Sequence, residues 1–326
     1  MSGPVPIVHS ILDADALGAE IQSFFGLPDP FRCELLTRGM NDVYLIRSDG
    51  RRFAARVWRT GVRSESDVVY ELEYLNYLDA AGVPVPNSVA AANGARYFPI
   101  GGPEGRRHVA LFDWIDGRAY GAAPDARLAG RIGGLLGEVH RLAPDFRASV
   151  ERHIDYPGGI RDGFTALSEL VAHRPDDLAY YAEVRDALVG ALGALDPERV
   201  PSGPTHGDFH AFNVFVGCDD HLTLMDFDNA GEGHFAQELM SFVWSARKSE
   251  LGEPVVEGFI EGYDAVRPLS PYERDLFPLF LAVKEFRYLC GFAANVNAVG
   301  HVAFRWPGLD WFAQSVRRHA ADANLL

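Results

Sequence analysis

Three oxygen-bearing side chains in the second half of the chain stand at intervals that one loop and one hairpin can bring together. Asp208 and Asn213 are five positions apart in the stretch His206–Val216, and Asp226 follows Asn213 by thirteen positions. The second interval is the length that a short β-hairpin needs to return Asp226 to the side of Asn213. The sequence therefore predicts a loop, a strand, a turn and a second strand that end at a group of two carboxylates and one amide.

Such a group suits phosphoryl transfer, in which a protein mainly positions the reactants and neutralises the charge that develops. Mg²⁺ binds a carboxylate and an amide oxygen and keeps its other positions for phosphate and water, which fits Asp226 and Asn213. Asp208, in the preceding loop, can accept the proton of an incoming hydroxyl group. We expect His206 to orient the loop backbone rather than take part in the chemistry.

Two simpler interpretations apply to the same residues. His206 and His210 are four positions apart, as zinc-binding histidines on a helix are, although the glycine between them and the β-like Val214–Val216 disfavour a helix here. Asp226 and Asp228 could form a solvated turn, but the apolar residues around them indicate a buried strand end, where an idle carboxylate is costly. A metal site explains the acidic pair better than either alternative.

Two motifs resemble those of a known family. His206-Gly-Asp-Phe-His-Ala-Phe-Asn213 and Met225-Asp-Phe-Asp228 closely resemble the catalytic loop and the metal motif of the aminoglycoside phosphotransferase and choline kinase-like enzymes. These enzymes are relatives of the protein kinases whose loop reads H-G-D in place of H-R-D. Gly137-Glu-Val-His140 and the ending near Trp311 are most similar to the stress-response kinase and homoserine-kinase-like branches.

The resemblance extends over about residues 30 to 300 and implies an α+β, protein-kinase-like bilobal fold. An N-terminal nucleotide-binding lobe with an antiparallel sheet is expected over residues 1–112. A mostly helical C-terminal lobe, with the catalytic and acceptor sites, is expected over residues 113–326.

The resemblance also implies a nucleotide site for ATP. Gly39 and Asn41 match the small and polar positions of a loop over the phosphates. Arg56 stands where most relatives have a phosphate-binding lysine, and Glu71 falls at the position of its ion-pair partner. The remaining implied contacts are the Asp113 carbonyl and the Ile115 amide at the adenine edge, with Phe215 and Met225 beneath the ring.

The catalytic and metal roles follow from the same resemblance. Asp208 is implied as the catalytic base, and Asn213 and Asp226 as the ligands of a catalytic Mg²⁺. Asp228 is implied as a ligand of a second metal ion. Glu238 takes the place of an aspartate that supports the catalytic loop in relatives.

Short-range patterns predict the elements of the first lobe. Cys33–Thr37, Asp42–Arg47 and Arg52–Trp58 predict three antiparallel strands, and the Asp49-Gly50 pair predicts a hairpin turn between the last two. Apolar residues at helical spacing predict a helix over Val68–Ala80. Two later strands are expected around the glycine-rich turn at residues 101–105.

Helical patterns dominate the second lobe. The glycines of Gly130–His140 share one helical face and follow no strand, which predicts close helix packing rather than a dinucleotide fingerprint. Helices are expected at about residues 155–196, interrupted at Pro175, and at about 254–266, 271–297 and 308–321. Arg287, in the segment 271–297, is either an acceptor contact or part of a structural salt bridge.

Composition limits the class of protein. The 326 residues are 48% hydrophobic and 23% charged, which is ordinary for a soluble protein with two sub-domains. The net charge of −15 disfavours nucleic-acid binding, which depends on clustered Lys and Arg. No basic leader or long apolar run is present, so neither secretion nor membrane insertion is expected. Cytoplasmic localisation is also expected because Cys33, Cys218 and Cys290 are too scattered for a disulfide framework or a zinc ribbon.

The sequence therefore predicts an ATP- and Mg²⁺-dependent phosphotransferase. The acceptor is a hydroxyl group on a small metabolite, on an antibiotic-like molecule or on a Ser/Thr side chain of a peptide. The alternative function is that of a catalytically weak pseudokinase that binds ATP or a peptide as a scaffold. Arg56 and Glu238 favour this alternative, whereas the intact trio of Asp208, Asn213 and Asp226 opposes it. The sequence does not indicate an oligomeric state.

Overall fold

The chain folds into two compact units in the computed structural model, which describes residue 5, residues 7–296, residue 300 and residues 308–326. The first unit comprises Met1–Arg118, Arg147–Arg152 and Val216–Asp228. The second comprises Ala119–Phe146, His153–Phe215 and Asn229–Leu326.

A five-stranded antiparallel sheet forms the centre of the first unit, with the strands in the order β1-β2-β3-β5-β4. The turn between the second and third strands places Asp49 and Gly50 at φ angles of 45° and 77°, as a tight hairpin of right-twisted strands requires. The predicted hairpin and the expected antiparallel sheet are confirmed. The strands are β1 (Phe31–Arg38), β2 (Asn41–Ser48), β3 (Arg51–Trp58), β4 (Tyr97–Gly102) and β5 (Gly105–Asp113).

Two helices complete the first unit. Helix α1 (Ala14–Phe25) begins at Asp13, whose side chain accepts two backbone N–H bonds, and ends at Gly26 in the left-handed region. Helix α2 (Glu65–Ala80) begins at a capping box formed by Ser64 and Asp67. The core packs α1 against one face of the sheet, and its fully buried members include Leu17, Ile21, Tyr44, Ile46, Val57, Val109 and Leu111.

Most of the second unit is helical. Its helices are α3 (Ala126–Leu142), α4 (Tyr156–Leu170), α5 (Pro175–Gly193), α6 (Phe235–Lys248), α7 (Glu253–Val266), α8 (Pro271–Asp275), α9 (Phe277–Ala294) and α10 (Leu309–Asp322). The remaining strands along the chain are β6 (Arg118–Ala119), β7 (Ser202–Thr205), β8 (Val214–Val216), β9 (Leu222–Leu224) and β10 (Gly231–His234). Strand β10 pairs with β7 in an antiparallel ribbon.

The glycines of α3 allow it to pack closely against α7. A Cβ atom at Gly133 would overlap the Phe259 carbonyl oxygen, and one at Gly262 would overlap the Gly130 carbonyl oxygen. Backbones can approach this closely only where side chains are absent. The prediction of helix packing for Gly130–His140 is confirmed.

The single helix predicted over residues 271–297 is wrong in one respect. Two helices, α8 and α9, occupy this region and meet at Leu276. Ser270 and Glu273 form a capping box for α8, and Pro278 near the start of α9 lacks the N–H that a continuous helix needs. Residue 297 lies outside the described residues. Within the described part of the chain, no helix is both long enough and apolar enough to cross a membrane.

Acidification is expected to destabilise the protein because burial lowers the pKa of several histidines, among them His140 and His234. Burial lowers the pKa of His210 and of His319 from 6.5 to about 4. Below pH 6.5 the unfolded chain therefore binds protons that the folded chain does not. These two sites contribute stability that is complete above that pH and declines towards pH 4, by up to about 3 kcal/mol each.

The measurement is urea unfolding at pH 7.5 and at pH 5. His319→Gln is expected to reduce the loss of unfolding free energy between the two pH values. The same substitution at the exposed His173 is the control and should leave the loss unchanged. Equal pH dependence in wild type and His319→Gln would contradict the assignment.

Candidate active site

The predicted site residues divide between the two units. Asp208, Asn213 and Phe215 belong to the second unit. The first unit carries Gly39, Asn41, Arg56, Glu71, Asp113, Ile115, Met225, Asp226 and Asp228.

In the second unit, Asp208 lies beside the ammonium group of Lys284 and the imidazole ring of His210. Lys284 Nζ donates a hydrogen bond to Asp208 Oδ1 at 2.8 Å, and His210 Nε2 lies 3.7 Å from Oδ2. The Asp208 backbone N–H donates to His206 Nδ1 at 3.3 Å, so His206 does orient the loop. Burial opposes ionisation of Asp208, but Lys284 and His210 outweigh it and hold its pKa well below the usual range. Asp208 is therefore a carboxylate at neutral pH.

Asn213 is fixed on the same loop. Its side-chain Nδ2 donates to the Asp208 carbonyl oxygen at 3.1 Å, and its backbone N–H donates to the His210 carbonyl at 2.9 Å. These bonds close the short 3₁₀ turn Ala211–Asn213. Because the amide nitrogen is the donor in this contact, the Asn213 Oδ1 atom is directed away from it and can serve as an oxygen ligand.

The loop backbone requires a glycine at position 207. Gly207 has a φ of 82°, and a Cβ atom there would overlap the Asn229 carbonyl oxygen. Any other residue would meet both the left-handed strain and this collision. The backbone conformation of the loop therefore requires the glycine of the H-G-D motif.

Glu238, near the start of α6, accepts hydrogen bonds from the backbone of the catalytic loop. Its Oε2 accepts the His206 backbone N–H at 3.0 Å, and its Oε1 accepts the Gly207 N–H at 2.6 Å. His140 Nε2 lies 2.9 Å from Glu238 Oε2, and His140 Nδ1 lies 2.8 Å from the Tyr263 hydroxyl. Burial raises the pKa of Glu238, but His140 and His206 together outweigh burial and leave that pKa below its ordinary value, whereas burial lowers the pKa of His140. A charged carboxylate thus accepts N–H bonds from a neutral imidazole and two backbone amides, which confirms the predicted support of the loop.

Glu238→Ala is expected to reduce the free energy of unfolding by about 3 to 5 kcal/mol, because it leaves buried N–H donors without an acceptor. Glu238→Gln keeps an acceptor oxygen and should lose less. The measurement is urea unfolding at pH 7.5. Glu138→Ala is the control, since Glu138 pairs with Arg141 on the exposed face of α3, where an ion pair contributes at most about 1 kcal/mol. A loss for Glu238→Ala no larger than that of the control would contradict this role.

In the first unit, Arg56 joins two acidic residues. Its Nη1 donates to Glu71 Oε1 at 2.6 Å, and its Nη2 lies 3.2 Å from Asp226 Oδ1. Burial raises the pKa of Glu71 to about 7, and Arg56 opposes that rise. The ion pair expected between β3 and α2 is therefore present, and it leaves one edge of the guanidinium directed at Asp226.

Asp226 and Asp228 stand in contrasting environments. Asp226 adopts a φ of 66°, and its side chain is 49% exposed. Asp228 is buried, and its Oδ2 accepts a 2.9 Å bond from Asn41 Nδ2 and lies 3.6 Å from Arg63. Burial first, and then the charge of Asp226, raise the pKa of Asp228. The pair therefore combines one exposed carboxylate with one buried carboxylate.

The oxygen atoms around this pair fit a hard divalent cation. Besides the two carboxylates, the buried Asn41 Oδ1 has no hydrogen-bond partner among the described residues. The described residues contain no group of three or more His, Cys, Asp or Glu that could hold a metal by themselves. Mg²⁺ in nucleotide sites needs only one or two carboxylates, because phosphate and water supply its other ligands.

Two arginines that the sequence did not reveal also approach Asp228. Arg152 Nη2 donates to the Asp228 carbonyl oxygen at 2.7 Å, and Arg152 Nε pairs with Asp67 at 2.9 Å. Arg63 lies just before the capping residue of α2. No local pattern distinguishes either arginine from the many others of the chain.

The remaining predicted residues occupy loops and strand ends. Gly39 donates its N–H to the Asn41 carbonyl at 3.1 Å, and its own carbonyl accepts a 2.6 Å bond from Arg59. Asp113 ends β5 and donates its N–H to the Asn87 carbonyl at 3.0 Å. Ile115, Phe215 and Met225 are half-buried.

The sequence of the chain is similar to those of a known family and of several known proteins. A profile of the phosphotransferase enzyme family matches residues 34–273. An uncharacterized protein of Deinococcus radiodurans is 30% identical over 97% of this chain and 94% of its own length. The homoserine kinase of Neisseria meningitidis serogroup B is 27% identical over 73% of this chain and 74% of its own.

A solved structure shares the fold. The amicoumacin kinase hAmiN, in complex with AMP-PNP, Ca²⁺ and Ami, has a TM-score of 0.77 at 17% identity, covering 94% of this chain and 93% of that one. This likeness confirms the kinase-like α+β fold that the sequence predicts.

Proposed function

Because the chain belongs to the phosphotransferase enzyme family, we propose that it is an ATP-dependent kinase that transfers the γ-phosphoryl group to a hydroxyl group of a small molecule. The observation that carries this proposal is the state of Asp208. It is an ionised carboxylate whose Oδ1 is bound by Lys284 at 2.8 Å, on a loop fixed by Glu238. A carboxylate held in this way can orient a hydroxyl group and take its proton.

In the proposed reaction, the acceptor oxygen forms a bond to the γ-phosphorus while the bond from that phosphorus to the β,γ-bridging oxygen breaks. The electron pair of the broken bond remains on ADP. The acceptor hydroxyl loses its proton to Asp208. Because the transition state of such transfers is loose, the proton leaves late, and the carboxylate acts mainly by orienting the hydroxyl.

We assign the metal to the oxygen ligands predicted from the sequence. Asn213 and Asp226 would hold a Mg²⁺ ion, and Asp228 would hold a second ion. Bound Mg²⁺ neutralises phosphate charge. The two carboxylates and the Asn41 Oδ1 atom without a partner support this assignment within the first unit.

We assign the nucleotide to the residues that the resemblance implies. Arg56 is held by Glu71 and directs its Nη2 atom towards Asp226. Its guanidinium group suits an anionic phosphate. Gly39 and Asn41 cover the phosphates in this assignment, and residues 1–112 form the nucleotide-binding lobe. The adenine contacts are the Asp113 carbonyl, the Ile115 amide, Phe215 and Met225.

The names of two relatives support a small-molecule acceptor. The names of the two kinases above refer to homoserine and to amicoumacin. We propose a small hydroxylated compound as the acceptor here, bound by residues 113–326.

The experiment is a panel of acceptors with Mg²⁺-ATP, read as ADP release. Hydroxyamino acids, amino alcohols, aminoglycosides and a Ser/Thr peptide are the classes to compare. We expect one small-molecule class to raise ADP release above the acceptor-free rate. Stabilisation by nucleotide with no turnover for any class would instead favour a binding scaffold.

A further inference from the structure

Lys284 is an unexpected partner of the proposed catalytic base. It lies on α9, 76 residues along the chain from Asp208, and its Nζ donates to Asp208 Oδ1 at 2.8 Å. Its side chain is 13% exposed, against 35% for Asp208, and the ring of Trp244 lies 5.6 Å from Nζ. The ammonium group therefore lies between the Trp244 ring and one carboxylate oxygen of Asp208.

The identity of this residue is informative because lysine is rare in the chain. Among thirty Lys and Arg residues, only Lys248 and Lys284 are lysine. Arginine binds a carboxylate through a planar fork that engages both oxygens, whereas the lysine ammonium is a point charge that can bind one. At position 284 the lysine binds Oδ1 and leaves Oδ2 with His210 at 3.7 Å, beyond hydrogen-bond distance.

The groups that act on Asp208 come from two elements. Lys284 and Tyr288 belong to α9, and His206 and His210 belong to the loop itself. Burial lowers the pKa of His210 to about 4, so His210 is neutral at pH 7. Lys284 is thus the permanent cation at hydrogen-bond distance from the carboxylate among the described residues.

We propose that Lys284 is a positioning residue for the phosphotransfer proposed above, binding Oδ1 so that Oδ2 of Asp208 is directed to the hydroxyl group of the acceptor. The inference rests on the proposed function. Lys284 also keeps the carboxylate charged in a partly buried place. Because the hydroxyl proton leaves late, the orientation of Oδ2 matters more than its basicity.

The test compares Lys284→Met, Lys284→Arg and the control Lys248→Met in the full chain. Lys248 donates to the Tyr288 hydroxyl at 3.2 Å and is not assigned to the site. With the best acceptor of the panel, we expect Lys284→Met to lower kcat by about tenfold or more while the KM for ATP stays nearly constant. Lys248→Met should match wild type in kcat.

The pH profile separates positioning from mere packing. In Lys284→Met, Asp208 loses its main cation, so the acid limb of kcat should move to higher pH. Lys284→Arg restores the charge and should return the acid limb, yet its fork competes for Oδ2 and should keep kcat low. Circular dichroism and thermal unfolding of each variant show whether it is folded.

A second measurement needs no acceptor. With only two lysines, ¹³Cε-labelled lysine gives two side-chain NMR signals, which Lys248→Met assigns. Asp208→Asn is expected to shift the Lys284 signal and leave that of Lys248 in place. An unmoved Lys284 signal would overturn the contact.

The outcomes distinguish this inference from the proposed function. If wild type turns over and Lys284→Met has the same kcat and the same pH profile, only the role of Lys284 is wrong. If the wild-type protein shows no turnover with any acceptor class, the proposed function fails, and this inference fails with it.

Discussion

We expect Asp208→Asn to lower the rate of phosphoryl transfer by about a hundredfold to ten-thousandfold, the range found for removing a general base. The amide has the shape of the carboxylate but cannot take the proton, and it no longer attracts the charge of Lys284. ATP binding is expected to persist, because the nucleotide contacts assigned above do not include this side chain. The measurement is kcat with the best acceptor, together with the rise in unfolding temperature on adding Mg²⁺-ATP.

The matched control for this variant is Asp219→Asn. Asp219 is exposed in the turn between β8 and β9, with a φ of 55°, a conformation that asparagine tolerates as well as aspartate. It should retain the wild-type rate. Retained turnover in Asp208→Asn would remove Asp208 from its proposed role.

The second large effect is expected for Asp226→Asn, which should abolish the metal-dependent part of the stabilisation by ATP. In wild type, nucleotide at a hundredfold excess over its Kd adds roughly 2.7 kcal/mol to the free energy of unfolding. The substitution removes the exposed charge of the acidic pair and weakens the contact with Arg56 at 3.2 Å. Asparagine is chosen over alanine because Asp226 has a φ of 66°, where alanine is strained.

The measurement is thermal unfolding with ATP in the presence of Mg²⁺ and of EDTA. Asp49→Asn is the control, since Asp49 is an exposed aspartate of the first unit that also has a positive φ, of 45°. It should keep the full Mg²⁺-dependent rise. An equal rise in Asp226→Asn would exclude Asp226 as a metal ligand.

Local patterns were sufficient to predict much of the fold. The Asp49-Gly50 turn, the helix that carries Glu71 and the glycine face of α3 each depend on residues a few positions apart. Such short-range features are set by backbone conformation and side-chain period, which a single sequence displays directly. The support of the catalytic loop by Glu238 was implied by the resemblance to the kinase-like family.

Other features depend on contacts between distant parts of the chain. Lys284 reaches the Asp208 carboxylate, and Arg152 reaches the backbone carbonyl oxygen of Asp228, across 76 residues each. The sequence between the partners carries no periodic signal of either contact. The scarcity of lysine could have directed attention to Lys284. The break between α8 and α9 had a local signal in Pro278, which the apolar periodicity of the segment obscured.

The central claim is that the γ-phosphoryl group moves from ATP to an acceptor hydroxyl. The most direct test is ³¹P NMR of the reaction with γ-¹⁸O-labelled ATP, Mg²⁺ and the best acceptor of the panel. We predict a new phosphomonoester resonance that carries the ¹⁸O label and grows in step with ADP. Label found only in inorganic phosphate, or ATP left unchanged beside bound nucleotide, would contradict the claim.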